Sequence, residues 1–180
     1  MPEAKPPKFK ICLVGDGGVG KTSLIKRYVF DQFSDDYIVT LGTKITVKDL
    51  KISNPINGYQ DVRLLIWDII GQQGFHQLLK NAYFEGSQGI LATCDVTRKA
   101  TLQGLESWVE TAESVAGELP MVVLGNKYDI EGEQRFGLDE IKSFASRSHG
   151  TEAYLSSAKT GFNVERAFQK LTENILNDNI

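Results

Sequence analysis

The sequence has little cysteine, no long apolar run and almost balanced charge. Its two cysteines, Cys12 and Cys94, each lie inside an apolar, strand-like segment. We therefore expect buried, reduced thiols and neither a disulfide nor a cysteine metal site. The net charge of −3 lacks the basic excess that nucleic-acid binding requires, so no nucleic-acid partner is expected. No run reaches the length of a membrane span, so no intrinsic span is expected either.

The length of 180 residues, with 41% hydrophobic and 24% charged side chains, suits one domain. We predict a disordered, Pro- and Lys-rich N-terminal arm over 1–8 and a single monomeric domain over 9–180. The sequence begins without a signal peptide or a myristoylation glycine and ends without a prenylated cysteine. We expect a cytoplasmic protein with no lipid anchor in this chain; a longer natural form with a lipidated tail would be peripheral to a membrane.

Apolar runs alternate with helical patterns along the chain, which predicts an α/β fold. Strands are expected near 9–14, 62–67, 89–94, 120–125 and 153–156. Helices are expected near 21–30, 74–84, 99–116, 138–149 and 163–176. Such alternation requires a mostly parallel sheet with helices on both faces.

One connection between strands contains no helical pattern. The extended runs Lys44–Ile52 and Asp61–Trp67 are joined by a segment with turn chemistry, which predicts an antiparallel hairpin. The fold class is therefore a six-stranded, mostly parallel sheet with one antiparallel edge strand. We expect the loop 53–60 to be long for a hairpin connection.

A glycine-rich segment separates the first strand from the first helix. It reads Gly15-Asp16-Gly17-Gly18-Val19-Gly20-Lys21-Thr22, the pattern G-x-x-x-x-G-K-[ST]. In this strand-to-helix context, backbone N–H groups surround a polyphosphate, Lys21 reaches its terminal phosphates, and the Thr22 hydroxyl binds Mg²⁺. The segment predicts a P-loop nucleoside triphosphatase.

A second motif, D-x-x-G-Q, follows the strand that ends at Trp67. Asp68 is placed to hold a Mg²⁺-bound water, and the Gly71 amide to meet a γ-phosphate. Gln72 is placed to orient an attacking water, so Gln72 and Lys21 are the predicted catalytic residues.

Two further motifs predict recognition of guanine. Asn126-Lys127-Tyr128-Asp129 ends a strand, where the Asp129 carboxylate can accept hydrogen bonds from guanine N1–H and its 2-amino group, a donor pair that adenine lacks. In Ser157-Ala158-Lys159, the Ala158 N–H is placed to meet guanine O6. Between the first helix and the hairpin, in the segment 33–40, Thr40 is a candidate second hydroxyl for Mg²⁺.

Taken together, these motifs resemble those of the Ras-like small GTPases, and the likeness spans about residues 9–176. The Rab-like branch is the most similar, although Thr40-Leu41-Gly42 is also similar to the Ran-like branch. The segments that carry the likeness are Thr40-Leu41-Gly42, Arg63–Trp67, Tyr83–Ser87 and Cys94–Thr97.

The resemblance implies further contacts with GTP and GDP. Phe33 would pack on the guanine, Tyr37 would close over the phosphates, and the Ser23 N–H would meet the α-phosphate. Lys127 and Lys159 would flank the base. It also implies a switch, in membrane traffic or signalling, whose effector, GTPase-activating and exchange proteins bind through residues 33–43 and 69–84.

The chain departs from the family pattern at several places. Ile69-Ile70 replace the usual Thr-Ala and place bulk beside the γ-phosphate, and Gln73-Gly74 stand where many relatives carry an acidic residue. Position 37 is tyrosine, where a built-in arginine finger would sit, so slow intrinsic hydrolysis is expected.

Three rival interpretations remain at the level of sequence. A P-loop kinase or ATPase would need an arginine-rich lid and leaves Asp129 unexplained. A nucleotide-gated binding module with negligible hydrolysis is favoured by Ile69-Ile70 and opposed by Gln72. A purely structural α/β domain would require every motif to be accidental.

Overall fold

A computed structural model describes residues 5–36, 42–54, 58–72, 75–150 and 152–178. The strands are β1 Lys8–Val14, β2 Lys44–Asn54, β3 Gly58–Asp68, β4 Gly89–Asp95, β5 Met121–Asn126 and β6 Glu152–Leu155. The helices are α1 Lys21–Phe30, α2 Phe75–Leu78, α3 Lys80–Phe84, α4 Lys99–Ala116, α5 Leu138–Arg147 and α6 Val164–Asp178.

The six strands form one sheet in the order β2-β3-β1-β4-β5-β6. Strand β2 is antiparallel to β3 and lies at the edge, and the pairs β1–β3, β1–β4, β4–β5 and β5–β6 are parallel. The predicted fold class is confirmed. Because β1, β3, β4, β5 and β6 run in the same direction, the segments that follow them meet at one edge of the sheet.

Both faces of the sheet are covered, so the central strands are apolar on both sides. Along β1, Phe9 and Leu13 pack into a core with α1 and α6, whereas Cys12 and Val14 pack into a second core with α4 and α5. Every residue of β4 is buried. Both cysteines, Cys12 and Cys94, are buried and free, as the sequence predicts.

Helix α6 carries an apolar stripe that faces the sheet. Val164, Phe168, Leu171 and Ile175 recur at intervals of three or four residues, and each has no more than 1% of its surface exposed. Helix α4 packs Leu105 and Trp108 against the opposite face of the sheet. The two helices therefore fix the sheet between them.

The hairpin connection is shorter than the sequence suggests. The antiparallel ladder continues to the pair Asn54–Gly58, so the expected long loop 53–60 is wrong, and only residues 55–57 lie between the paired ends. The ladder extends because β-sheet pairing of the backbone does not require an apolar side chain at every position. Farther along the same ladder, Arg63 Nε lies 2.6 Å from Asp49 Oδ1 on the paired strand.

The predicted helix 74–84 is two short helices, α2 and α3. They meet at Leu79, whose φ of −111° and ψ of 16° interrupt the helix. Leu78 is 81% exposed whereas Phe84 is fully buried, so no single helical stripe faces the core along the whole segment. Two other boundaries shift. Helix α5 ends at Arg147, not 149. Lys8, the last residue of the arm predicted over 1–8, belongs to β1.

Candidate functional site

The glycine-rich loop connects β1 to α1 at the edge where the parallel strands end. Gly15, Gly18 and Gly20 have φ of 138°, 76° and 105°, a region that favours glycine. A Cβ atom on Gly20 would overlap the Asn126 side-chain amide, and one on Gly15 would overlap the Thr93 carbonyl. Side chains at these positions would therefore disfavour the backbone conformation of the loop and would prevent its close packing against β4 and β5.

Lys21 extends back over this loop. Its side chain is 6% exposed, and its Nζ donates to the Gly15 carbonyl at 2.5 Å and to the Asp16 carbonyl at 3.1 Å. Burial lowers the pKa of Lys21 to about 8, although the carboxylates of Asp68 and Asp16 oppose this shift. A buried ammonium held among backbone carbonyls is a binding group for an anion such as a phosphate.

Thr22 and Asp68 form the group of oxygens that suits Mg²⁺. The Thr22 hydroxyl donates to Asp68 Oδ2 at 2.5 Å. The other carboxylate oxygen, Oδ1, is buried and finds no hydrogen-bond partner in the described part of the chain. Burial raises the pKa of Asp68, and the Thr22 hydrogen bond and the charge of Lys21 oppose that increase. Mg²⁺ is bound by one or two carboxylates together with hydroxyl, water and phosphate oxygens, so these residues fit it.

The segment after β3 lies directly against the glycine-rich loop. A Cβ atom on Gly71 would approach Lys21 Nζ to 2.5 Å and Gly17 N to 2.6 Å, so only glycine fits at this distance. Gln72 lines the cleft and is exposed. Of the two isoleucines that depart from the family pattern, Ile69 is fully buried in the core with α4, and both Ile69 and Ile70 line the cleft.

Asn126, at the end of β5, connects the loop after β6 with the glycine-rich loop. Its Nδ2 donates to the Val19 carbonyl at 2.9 Å, and its Oδ1 accepts from the Ala158 N–H at 3.2 Å. The residue is 1% exposed. One side chain thus holds three segments that are distant in the sequence.

Asp129 and Lys159 lie on the same side of the cleft. Asp129 Oδ1 accepts from the Ser157 hydroxyl at 2.6 Å, which fixes the orientation of the carboxylate. Lys159 Nζ lies 3.2 Å from Asp35 Oδ1 and 6.0 Å from the centre of the Phe33 ring. Carboxylate, ammonium and aromatic ring are therefore available together for a flat, polar ligand.

One cleft of about 440 Å³ collects most of the predicted site residues. Its lining includes Gly17, Gly18, Gly20, Lys21, Thr22, Ser23, Phe33, Gly71, Gln72, Asn126, Lys127, Asp129, Ala158 and Lys159. Val19 and Ser157 are buried behind it and reach it through Asn126 and Asp129. The predicted contacts of Tyr37 and Thr40, and the departures at Gln73 and Gly74, lie outside the described residues.

Three side chains that contact the site were not among the residues that the sequence motifs predict. Asp95, at the end of β4, lies 2.8 Å from Lys127 Nζ, and Arg98 Nη2 donates to the Gly17 carbonyl at 3.1 Å. Trp108 Nε1 donates to Asp16 Oδ1 at 3.0 Å. For Asp95 a signal existed, because a carboxylate ends a buried parallel strand there as Asp68 does in β3.

Among the described residues, no helix has both the length and the apolar character needed to cross a bilayer. Residues 10–177 match the model of the Ras family. The Ras-related protein Rab-13 of Bos taurus is 32% identical over 177 residues, which cover 98% of this chain and 84% of that protein. The Ras-related protein Rab-21 of Mus musculus is 36% identical over 169 residues, which cover 93% and 73%.

Proposed function

This chain belongs to the Ras family, and on that premise we propose that it is a GTP-dependent switch that hydrolyses GTP to GDP and phosphate. Members of this family bind guanine nucleotides and are GTPases. Family membership alone leaves open the activity of this chain, the role of each residue and the consequence of hydrolysis.

The observation that carries the proposal is the pairing of two unlike ends in one cleft. Lys21 and the phosphate loop line one end, and Asp129 with Lys159 lines the other. The Asn126 to Val19 hydrogen bond of 2.9 Å holds the two ends together. A nucleotide has the matching asymmetry, with an anionic polyphosphate at one end and a flat base at the other.

At the phosphate end, the residues supply charge and position. The loop N–H groups and Lys21 bind the phosphates, and the Ser23 N–H adds a contact to the α-phosphate. Thr22 and Asp68 would hold Mg²⁺, which when bound neutralises charge on the β- and γ-phosphates. Gly71 would present its N–H to the γ-phosphate, and Gln72 would orient the attacking water.

At the base end, selectivity follows from hydrogen-bond donors. Asp129 accepts from the N1–H and 2-amino groups of guanine, and Ala158 donates its N–H to O6. Lys127 and Lys159 pack beside the ring together with Phe33. Adenine offers neither donor to the carboxylate, so with ATP the Asp129 carboxylate would keep its Ser157 hydrogen bond but receive none from the base, which is costly.

Hydrolysis is expected to be slow without a partner. Gly17 lines the cleft and leaves room there for an arginine supplied by a GTPase-activating protein. In Ras itself, an arginine finger supplied by a partner increases the rate by roughly 10³- to 10⁵-fold, and we expect a gain on that scale. The Gly17→Val substitution should keep nucleotide affinity and remove this stimulation, because the added side chain crowds the incoming group.

The effectors would bind the GTP-loaded form through residues 33–43 and 69–84, the segments that the γ-phosphate organises. From its likeness to the Rab-like branch, we assign the switch to membrane traffic or to intracellular signalling. Capture of partners on the GTP-analogue-loaded form but not on the GDP-loaded form would identify the effectors.

A second candidate is a nucleotide-gated binding module with negligible hydrolysis. Ile70 favours it, because its side chain lines the cleft beside Gly71 and Gln72. Such bulk would hold the Gln72 amide away from a γ-phosphate and remove the orientation of water.

The deciding experiment measures binding and single-turnover hydrolysis on the same protein. Binding of GTP, GDP and ATP to the purified protein is measured first. The protein and its Gln72→Leu variant are then loaded with GTP, and the release of phosphate is followed for both. Selective GTP binding with Gln72-dependent release supports the GTPase. Selective binding with equal, negligible rates supports the second candidate, and equal binding of ATP contradicts both.

A further inference from the structure

A buried carboxylate that none of the four motifs contains connects two loops of the cleft. Asp95 ends β4 and is 1% exposed. Its Oδ1 accepts from the N–H and hydroxyl of Thr97 at 2.9 and 2.7 Å. Its Oδ2 accepts from Arg98 Nε at 2.9 Å and lies 2.8 Å from Lys127 Nζ. Both carboxylate oxygens therefore have partners: Oδ1 accepts from the adjacent Thr97, and Oδ2 contacts two cations.

The two cations belong to opposite ends of the cleft. Lys127 lies in the base-side segment after β5, and Arg98 continues to the phosphate loop, where its Nη2 donates to the Gly17 carbonyl at 3.1 Å. A continuous path thus runs from Lys127 through Asp95 and Arg98 to Gly17. It is separate from the connection that Asn126 makes to Val19.

Arg98 contacts the loop in a way that argues against a role as a built-in arginine finger. The Arg98 guanidinium donates to the Gly17 carbonyl, whereas the N–H groups of a phosphate-binding loop are the backbone groups that contact the anion. Arg98 is also not among the described residues that line the cleft. Its contact restrains the loop backbone and does not reach the transferred phosphate.

The charge on Asp95 makes this connection rigid. Burial alone would raise the pKa of Asp95, but the hydrogen bonds from Lys127, Thr97 and Arg98 outweigh burial and hold the pKa below its ordinary value. Removing either cation from a buried, ionised carboxylate is destabilising, because the negative charge is then incompletely paired. The side chains of Lys127 and Arg98, 33% and 46% exposed, are thereby held in one orientation before a ligand binds.

We propose that Asp95 is a positioning residue for nucleotide binding, which couples the base-side loop to the phosphate loop through Lys127 and Arg98 and slows nucleotide release. The inference rests on the nucleotide-binding part of the proposed function. It requires the two contacts to act in series: once one is broken, the path no longer connects the two ends.

Release of a fluorescent GDP analogue at fixed Mg²⁺ tests this coupling. The rates are compared for the parent, Arg98→Met, Lys127→Met and the double variant; methionine keeps the side-chain stem and removes the charge. Each single variant should release GDP faster. The double variant should fall short of the product of the two single effects by about threefold or more, because contacts in series are not independent. Thermal unfolding of each variant is measured in parallel, since a merely structural role would lower stability and leave the effects multiplicative.

Two controls complete the design. Lys99→Met removes an exposed positive charge next to Arg98 and should leave release unchanged. In an Asp95→Asn background, the Arg98 and Lys127 substitutions should become multiplicative; if that variant does not fold, the cycle in the parent background decides. If the parent retains GDP but the effects of the Arg98 and Lys127 substitutions on GDP release multiply, the coupling through Asp95 is overturned and the proposed function is not. A parent that retains GDP no better than ADP would overturn the proposed function as well.

Discussion

Replacing Asp129 with asparagine tests base recognition with very little change of shape. Asp129 Oδ1 accepts from the Ser157 hydroxyl at 2.6 Å, and that hydroxyl also accepts from the Thr160 N–H at 3.1 Å. Ser157 is 1% exposed, so its position is fixed. The amide of the Asp129→Asn variant can keep its oxygen on Ser157. The substitution then converts one carboxylate oxygen into an N–H₂ donor.

The size of the effect follows from the hydrogen bonds that change. Guanine offers Asp129 two donors, and hydrogen bonds to a charged group contribute about 1.5–3 kcal/mol each. In the variant, one bond becomes neutral and the other becomes a contact between two donors. We expect a loss for GTP of roughly 3–5 kcal/mol, or about 10²- to 10⁴-fold in affinity at 1.4 kcal/mol per factor of ten. Xanthine has an acceptor at the 2-position, so XTP should gain relative to the parent.

Competition against a fluorescent GDP analogue measures the change for GTP, XTP and ATP. The matched control is Asp139→Asn, which removes an exposed negative charge in the first turn of α5. It should leave all three affinities unchanged. If the Asp129 variant binds GTP as tightly as the parent and gains nothing for XTP, the assignment of Asp129 to guanine is mistaken. An equal loss for every nucleotide would indicate a structural role.

Four further predictions concern the phosphate end and the core. Thr22→Asn should weaken GTP about tenfold more than GDP, because Mg²⁺ contacts the γ-phosphate only in GTP; equal losses in equilibrium binding would contradict this. Gln72→Leu should keep GTP affinity and lower single-turnover hydrolysis about 10- to 100-fold, and unchanged turnover would refute the role of the amide. Because burial lowers the pKa of Lys21 to about 8 and bound phosphates raise it, GTP binding should take up protons above pH 8 and none below pH 7; calorimetry in two buffers that gives equal heats at pH 8.5 would count against it. Burial raises the pKa values of Cys12 and Cys94 to about 11 and 12, so a thiol reagent at pH 8 should modify neither until the protein is denatured, and rapid labelling of the native protein would exclude this packing.

The features that the sequence predicts best are those that depend on neighbouring residues. Alternation of apolar runs with helical patterns identifies the strands and most helices, because the periods of side-chain exposure differ between the two. The glycine-rich loop is also recognisable from neighbouring residues, because Gly15, Gly18 and Gly20 adopt positive φ angles within one short segment. The edge hairpin is also recognisable, since a connection without a helix cannot join parallel strands.

Errors in the prediction arise where packing outweighs local pattern. The segment 74–84 has the pattern of one helix, yet it is interrupted at Leu79 because Phe84 is buried under α4 and Leu78 faces solvent. The hairpin ladder is longer than predicted because backbone pairing continues through polar residues up to Asn54–Gly58. In both cases the deciding contacts involve a different element.

The sequence by itself determined the local elements, the kind of nucleotide the motifs suit and the residue types at each motif. Only the tertiary structure decided which motifs meet. Strand order places the ends of β1, β4 and β5 side by side, so that Asn126 reaches Val19 and Asp95 holds both Arg98 and Lys127. Spacing along the chain cannot reveal such contacts. Their distances depend on which strands pair, and pairing is selected by the burial of the whole sheet between two layers of helices.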